Sequence, residues 1–152
     1  MEILAYTMRY NHKLVEKTEI ACVPMKKIYF EEYRKIYNAC FYEMRESLDI
    51  EPYNFLSHFK QIEEKLSNMY ILMKKEEIIG SVACYDNEID DLIVRKEYQN
   101  KGYGRQLLLW GMQYIRERNE EPIVLHVAAW NEKAIKLYRE VGFEVVKTEK
   151  IR

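Results

Sequence analysis

A glycine-containing loop between an apolar run and a helical pattern constrains the fold of this chain most strongly. The loop reads Gln99-Asn100-Lys101-Gly102-Tyr103-Gly104-Arg105, after the run Leu92-Ile93-Val94 and before a helix predicted over residues 104–118. Glycines let the backbone turn and approach a ligand closely, because they carry no Cβ. The first N–H groups of a helix lack intrahelical partners, and the helix dipole favours negative charge in front of them. The segment therefore predicts an anion site, such as one for phosphate, to which Lys101 and Arg105 add positive charge.

A second motif occupies residues 131–143. Asn131 is typical of the residue that caps a helix N-terminus, and Gly142 is typical of the residue that follows a helix C-terminus. The helix predicted between them, over residues 131–141, carries one apolar face, made of Ala134, Ile135, Leu137, Tyr138 and Val141.

Together the two motifs resemble the GNAT superfamily of acyl-CoA-dependent N-acyltransferases. The first signature of that family, Gln/Arg-x-x-Gly-x-Gly/Ala after a strand, is met by Gln99, Gly102 and Gly104. The second, Asn-x-x-Ala-x-x-Leu-Tyr-x-x-x-Gly-Phe, is satisfied throughout residues 131–143. The resemblance is specific from about Glu88 to Phe143, and upstream of Tyr70 it rests on the order of elements.

The order of the predicted elements indicates an α+β fold in a single domain over residues 1–152. Strands are predicted over residues 2–9, 18–23, 69–74, 78–85, 89–94, 123–128 and 144–148, and helices over 29–44, 55–66, 104–118 and 131–141. Short connections near residues 75 and 86 favour antiparallel hairpins, and the crossover from 94 to 123 implies a parallel pair. We expect a GNAT-like, mixed, mostly antiparallel sheet with helices on both faces, in three layers. The family usually opens with one strand, so a second N-terminal strand would be a departure.

Composition excludes several classes of protein. With 48% hydrophobic and 32% charged residues the chain reads as soluble and globular, and a net charge of −1 argues against a nucleic-acid platform. No secretory signal is visible at Met1-Glu2-Ile3, and the apolar-rich run Ile123 to Trp130 is too short to span a bilayer. Three cysteines without metal-like spacing predict free thiols in the cytoplasm and no metal site, namely Cys22, Cys40 and Cys84.

The anion predicted at the loop is coenzyme A. A Walker A loop is absent, and a dinucleotide fingerprint would need a third glycine where Leu107 stands. The resemblance implies acetyl-CoA as cosubstrate, with its pyrophosphate on the N–H groups of residues 100–105 and its pantetheine arm along residues 92–94. Asn131 would bond an amide of that arm, or would serve as a helix cap alone. The coenzyme-binding residues predicted in this way are Leu92, Ile93, Val94, Gln99, Asn100, Lys101, Gly102, Tyr103, Gly104, Arg105 and Asn131.

Tyr138 is the candidate proton donor to the leaving thiolate. A phenol with a pKa near 10 is a reasonable match for a thiol with a pKa near 8.5. Periodicity alone favours a core tyrosine, but the family places its acid at the Leu-Tyr pair of this helix. By the same resemblance, the oxyanion donor would be the backbone N–H of Ile93 or Val94, where the family's strand carries a bulge.

Three residues are candidates for the base that deprotonates the acceptor amine. Glu88 lies fourteen residues before Gly102, a spacing at which some family members hold a catalytic glutamate. Asp90 shares a face with Glu88 if the strand is regular. His126 lies where some N-terminal acetyltransferases place a glutamate, and a pKa near 6.5 suits the task. Each residue also has a purely structural interpretation: Glu88 and Asp90 as solvated residues at the start of a strand, and His126 as a hydrogen-bonded histidine of the sheet. Many family members also work without a dedicated base.

The leading function is an N-acetyltransferase that moves an acetyl group from acetyl-CoA to a primary amine by direct attack in a ternary complex. The amine could be a small molecule or a peptide N-terminus. The alternative is a non-catalytic acyl-CoA-binding or regulatory module. The expected partners are acetyl-CoA and the amine, and binding to nucleic acid or to a membrane is not expected. The sequence leaves open whether the protein forms a homodimer. Between residues 30 and 59, where the family selects its acceptor, aromatic and acidic side chains suit a cation.

Overall fold

The computed structural model describes residues 2–151 and contains one seven-stranded sheet with helices on both faces. The strands are β1 (Leu4–Tyr10), β2 (Val23–Pro24), β3 (Met69–Lys74), β4 (Glu77–Tyr85), β5 (Glu88–Val94), β6 (Ile123–Ala128) and β7 (Glu144–Lys150). The helices are α1 (Phe30–Ser47), α2 (Tyr103–Arg116) and α3 (Glu132–Val141), and short 3-10 turns occupy Lys27–Tyr29, Phe59–Gln61, Glu63–Asn68 and Lys96–Tyr98. The two ends of the single domain expected over residues 1–152 lie outside the described residues.

Strand order explains where a cleft opens. The order is β2-β3-β4-β5-β6-β1-β7, and every neighbouring pair is antiparallel except β5 and β6, which are parallel. This confirms the predicted mixed, mostly antiparallel α+β sheet. The parallel pairing covers Glu88 with Val124 and Ile89 with Leu125. Beyond Ile89 the pairing of the two strands ends, so their carboxyl halves leave room between them.

The sheet is buried on both faces. Ile79, Val82 and Cys84 of β4 belong to the core beneath α2 and α3, whereas Ile78 and Ala83 belong to the core beneath α1. A central strand covered on both faces is expected to read as a continuous apolar run, as β4 does. Within residues 2–151 we find no helix long and apolar enough to cross a membrane.

The strand predicted over residues 18–23 is wrong except at its end, where Val23–Pro24 pairs with β3. Residues 18–22 instead cross α2 as an extended segment outside the sheet. The Thr18 hydroxyl bonds the Gln106 side chain, and Ile20 packs against the core of that face. An extended segment with one buried side has the alternating pattern of a strand, so the sequence pattern does not separate the two.

The helix predicted over residues 55–66 is also wrong, because this region forms two 3-10 turns. The buried Asn38 side chain donates to the Leu56 carbonyl and accepts from the Leu56 N–H, at 2.8 and 2.9 Å. The Gln61 Oε1 atom accepts from the N–H groups of Ser57 and His58, at 2.8 and 2.9 Å. The Asn38 amide thus occupies the Leu56 carbonyl, which a helix over residues 55–66 would have paired within itself, although the apolar spacing is helical.

Candidate active site

A cleft of about 350 Å³ lies where β5 and β6 part, bounded by β5, the glycine loop and α3. Gly102 has φ of 90°, and a Cβ placed there would meet no atom within 4 Å. A Cβ at Gly104 would lie 3.8 Å from side-chain atoms of both Val94 and Leu137, which is ordinary contact. The two glycines therefore leave the backbone at the start of α2 open to the cleft. The residues that line it are Leu92, Val94, Gln99, Asn100, Gly102, Gly104, Arg105, Asn131, Lys133, Ala134, Leu137 and Tyr138.

The polar side chains of the loop bind protein groups. Gln99 Nε2 donates to the Val94 carbonyl at 2.9 Å, which ties the loop to the end of β5. Arg105 Nη2 lies 3.1 Å from both carboxylate oxygens of Glu16. Lys101 Nζ lies 5.7 Å from the centre of the Tyr98 ring. The positive charge predicted in front of α2 is therefore present, but Glu16 neutralises part of it.

Asn131 caps α3 with its side chain, because Asn131 Oδ1 accepts from the Ala134 N–H at 3.2 Å. This confirms the predicted cap. The residue also borders both the cleft and a second cavity. The amide nitrogen of the same side chain is a second polar group that can donate to a ligand.

The second cavity, of about 470 Å³, lies between α1 and the carboxyl halves of β5 and β6. It shares Leu92, Asn131 and Tyr138 with the cleft, so the two spaces meet at these residues. We call this space the acceptor cavity. Its remaining lining residues are Tyr37, Cys40, Phe41, Met44, Arg45, Ile89, Asp90, Asp91, Leu125, His126, Val127, Ala128 and Trp130.

Tyr138 lies at the junction of the cleft and the acceptor cavity. Burial, and secondly the negative charge of Asp90, raises the pKa of the Tyr138 hydroxyl to about 12. The hydroxyl is therefore protonated at neutral pH and able to donate. The proton match is poorer than expected from a free tyrosine, because full transfer to a thiolate of pKa near 8.5, already uphill from a pKa near 10, becomes more so. A strong hydrogen bond to the thiolate needs no complete transfer.

The three predicted base candidates lie on one face of the sheet. Glu88 pairs with Tyr85, and Asp90 pairs with Ala83, which belongs to the core beneath α1. Residues paired across two strands lie on the same face, so Glu88 and Asp90 share the α1 face, as predicted. His126 Nε2 lies 4.0 Å from Glu88 Oε1, and its Nδ1 lies 3.1 Å from the Thr7 hydroxyl. Asp90 and His126 line the acceptor cavity, and Glu88 adjoins it through His126.

Asp91 is a candidate that the sequence analysis did not name. Ser81 pairs with Ile93 and Ala83 pairs with Asp90, so Val82 faces both Asp91 and Leu92. This is a β-bulge, one or two residues before the position expected at Ile93 or Val94.

The Asp91 side chain, at the bulge, is partly buried and lines the acceptor cavity. Asp91 has φ of 46°, in the left-handed region. Burial raises the pKa of its carboxyl to about 6, with a further increase from Asp90 and a decrease from Lys65. Two consecutive aspartates inside an apolar strand break the alternation of period two, and this pattern could have indicated the bulge.

The thiols are not activated. Cys40 lines the acceptor cavity and donates to the Val94 carbonyl at 3.2 Å, and burial raises its pKa. Burial also raises the pKa of Cys84, and of Cys22, to about 12. Protonated thiols are poor nucleophiles, which agrees with direct transfer. No group of three or more His, Cys, Asp or Glu side chains suited to a metal occurs within residues 2–151.

Comparison with known proteins identifies the family. The model of the acetyltransferase (GNAT) family matches residues 29–143. The chain belongs to this family. The match confirms the resemblance carried by the two motifs, and it extends that resemblance to α1, where the sequence signal was the order of elements.

Curated relatives match this GNAT chain over different lengths. Mycothiol acetyltransferase from Saccharomonospora viridis is 39% identical over 56 residues, 37% of this chain and 18% of the relative. The chain spans about a fifth of the length of the mycothiol acetyltransferases it matches. Spermidine N(1)-acetyltransferase from Vibrio cholerae is 27% identical over 139 residues, 90% of this chain and 72% of the relative.

Solved structures share the fold of this GNAT chain. A GNAT-family acetyltransferase from Colwellia psychrerythraea gives a TM-score of 0.74 at 12% identity, over 97% of this chain and 54% of the other. The ribosomal-protein-S18-alanine N-acetyltransferase from Escherichia coli gives 0.63 at 19% identity, over 84% of this chain and 79% of the other. At these identities the comparison supports the fold alone.

Proposed function

We propose that the protein is an N-acetyltransferase that transfers the acetyl group of acetyl-CoA to a primary amine in a ternary complex. The observation that carries the proposal is the meeting of two cavities at Leu92, Asn131 and Tyr138. One cavity begins at a helix N-terminus suited to phosphate, and the other carries carboxylates suited to an amine. A reaction between two substrates needs their reactive atoms in contact at such a junction.

The cleft supports the coenzyme in this proposal. The pyrophosphate would lie against the N–H groups of residues 100–105, where Gly102 and Gly104 leave space. The pantetheine arm would follow the carboxyl half of β5, and the Asn131 amide nitrogen would donate to it. Gln99 would hold the loop in register through its bond to Val94.

On the acceptor side, we propose that Asp91 removes the proton of the ammonium. An alkylammonium has a pKa near 10, so attack requires a base at neutral pH. The Asp91 carboxyl, with a pKa of about 6, is ionised at pH 7 and more basic than an exposed aspartate. Glu88, Asp90 and His126 are the competing candidates on the same face, acting directly or through water.

Tyr138 would stabilise the leaving group. Its hydroxyl is protonated at neutral pH and lies where both cavities meet. A hydrogen bond from this hydroxyl would stabilise the coenzyme thiolate as the carbon–sulfur bond breaks. The base would take one proton of the ammonium, and the free amine would attack the acetyl carbon, which passes from sulfur to nitrogen. The second proton would leave the nitrogen as the amide forms and reach the departing coenzyme thiolate through solvent, which gives the free thiol.

The relatives support the general class of acceptor. A spermidine N(1)-acetyltransferase, whose name specifies an amine nitrogen, aligns over most of this chain. We place the protein in the cytoplasm as part of the proposal, because its three cysteines are free thiols.

Release of free thiol from acetyl-CoA, followed across a panel of amines, tests the proposal. We expect thiol release that depends on both the protein and a primary amine, with mass spectrometry showing the acetylated product. Tertiary amines of equal size serve as the control, since they cannot form a stable amide. Binding of acetyl-CoA without amine-dependent thiol release would contradict the proposal and favour a non-catalytic acyl-CoA-binding module.

A further inference from the structure

A third cavity continues the acceptor cavity along the outer side of α1. It has a volume of about 470 Å³ and is lined by Cys40, Glu43, Met44, Ser47, Leu48 and Trp130. Cys40, Met44 and Trp130 also line the acceptor cavity, so the two spaces are neighbours. We call the third space the outer cavity. The proposed reaction does not use it.

The outer cavity combines an aromatic ring with a carboxylate. Trp130 is 47% exposed, so its indole is accessible from the outer cavity. Glu43 lines the same cavity with a side chain that is 87% exposed. An indole face and a carboxylate that border one space are the groups that attract an organic cation.

Lys96 is the positive group near Glu43. Its Nζ lies 3.9 Å from Glu43 Oε1, and the two side chains are 52% and 87% exposed. A pair this exposed is weak and screened by salt. An ammonium that also contacts the indole face can therefore compete for the carboxylate.

The acceptor cavity carries negative charge on residues that do not line the outer cavity. Asp90 and Asp91 lie there beside Tyr138, and they favour the ammonium that is to be acetylated. Arg45 is the positive group of the wall, but its guanidinium stacks on the Phe55 ring at 4.5 Å and donates to the Pro52 carbonyl at 3.3 Å. Arg45 is thus held against the loop after α1, and the two carboxylates of Asp90 and Asp91 outnumber its single positive charge in the cavity wall.

We propose that the acceptor is an elongated alkyl diamine, with one ammonium at Asp90 and Asp91 and the other in the outer cavity between Trp130 and Glu43. This inference rests on the proposed function and adds to it the class of amine. Acetylation neutralises the inner ammonium, which removes its attraction to the aspartates and favours product release.

The first experiment compares alkyl diamines with alkyl monoamines of equal chain length in the thiol-release assay. We expect the diamine to have a lower KM once its chain is long enough to reach the outer cavity, with a similar kcat. Glu43→Gln should raise the diamine KM by about fivefold, the size of an exposed charge contact, and leave the monoamine KM unchanged. Glu46→Gln, on the same helix but outside the cavity lining, is the matched control. Equal KM values for both amines, or a Glu43→Gln variant identical to wild type, would overturn the proposal.

Lys96→Gln gives a test of opposite sign. Removing Lys96 releases Glu43, so the diamine KM should fall. An unchanged or higher diamine KM would contradict the proposal.

Direct calorimetry of amine binding in the presence of coenzyme A separates the subsite from the chemistry. If no amine releases thiol, the proposed function fails. Tighter binding of the diamine than of the monoamine, abolished by Glu43→Gln, would still support the subsite, and equal binding would refute it.

Discussion

The coenzyme cleft and the acceptor cavity differ in how the chain builds them. Most of the cleft comes from two short motifs, the loop at residues 99–105 and the segment from Asn131 into α3, which present backbone groups and short polar side chains. The acceptor cavity draws side chains from α1, β5, β6 and the turn before α3. A site made of local backbone geometry has a fixed pattern of residue types, whereas a site made of distant side chains does not. We therefore expect substitutions in the cleft to change coenzyme affinity, and substitutions in the acceptor cavity to change acceptor use.

The largest effect is expected where the two sites meet. Tyr138→Phe should lower kcat by about tenfold or more, since general-acid assistance typically contributes 10²–10⁴-fold. Coenzyme affinity and melting temperature should change little, because the ring still packs near Phe143, at 6.1 Å between centroids. Rapid-quench kinetics that isolate the chemical step, together with a melting curve, check this. A chemical step nearly as fast as that of the wild type would show that Tyr138 serves only in packing.

The second prediction perturbs the cleft alone. Gly104→Val should weaken acetyl-CoA binding by about tenfold, as the loss of one or two phosphate hydrogen bonds would do. The fold should persist, because a Cβ at this position makes only ordinary contacts at 3.8 Å. Gly104→Ala is the graded control and should give a smaller loss. Unchanged coenzyme affinity in the folded Gly104→Val variant would show that the phosphates do not bind at the loop.

The third prediction perturbs the acceptor cavity alone. With Asp91 as base, kcat/KM should rise as the pH passes through about 6, where the Asp91 carboxyl ionises. The groups facing it are Asp90 on its own strand, Tyr85 on β4, Tyr33 and Tyr37 on α1, and Lys65 from the 3-10 turn. Asp91→Asn should lose this rise of kcat/KM with pH and keep the coenzyme affinity of the wild type. Alanine variants of Glu88, Asp90 and His126 are the comparison. If one of them loses the rise instead, that residue is the base and Asp91 is not.

The fourth prediction concerns stability and has the opposite sign to the loss of activity. Folding raises the pKa of Asp91 from 3.8 to about 6, so this carboxyl stabilises the fold below pH 4 and loses that contribution as pH rises through 6. Asp91→Asn should therefore be more stable than wild type at pH 8, by about 1–3 kcal/mol from a shift of this size. The difference should become small at pH 3, below both pKa values. Denaturant melts at both pH values check it, and equal stability at pH 8 would show that Asp91 is not buried as an anion.

The smallest effect is expected at the edge of the cleft. Glu16 holds Arg105 at 3.1 Å, so Glu16→Gln should release positive charge toward the phosphates. Coenzyme affinity should rise by about twofold, in line with an exposed ion pair. Equilibrium binding at low and high salt measures this, with Glu19→Gln from the same segment as control. A lower affinity would show that the Glu16 contact orders the loop.

The sequence predicted the regions built from short local motifs better than the regions built from side chains that are distant along the chain. The motif that begins with Gln99 and the motif that begins with Asn131 predicted the family and the cap of α3, because each depends on residue types at fixed spacing. The crossover from residue 94 to residue 123 predicted the parallel pair. The resemblance predicted a bulge at Ile93 or Val94, but its position at Asp91 and Leu92 was not predicted, since that depends on pairing with β4. The helix predicted over residues 55–66 failed for a related reason. Its backbone is held by Asn38, which lies 18 residues from Leu56 along the chain.

The central claim is that acetyl-CoA and the amine meet at Tyr138. A crystal structure of the protein with coenzyme A tests it most directly. The account predicts the pyrophosphate against the N–H groups of residues 100–105 and the sulfur within hydrogen-bonding reach of the Tyr138 hydroxyl, facing the acceptor cavity. A coenzyme sulfur that lies away from Tyr138, or a pyrophosphate bound elsewhere, would contradict it.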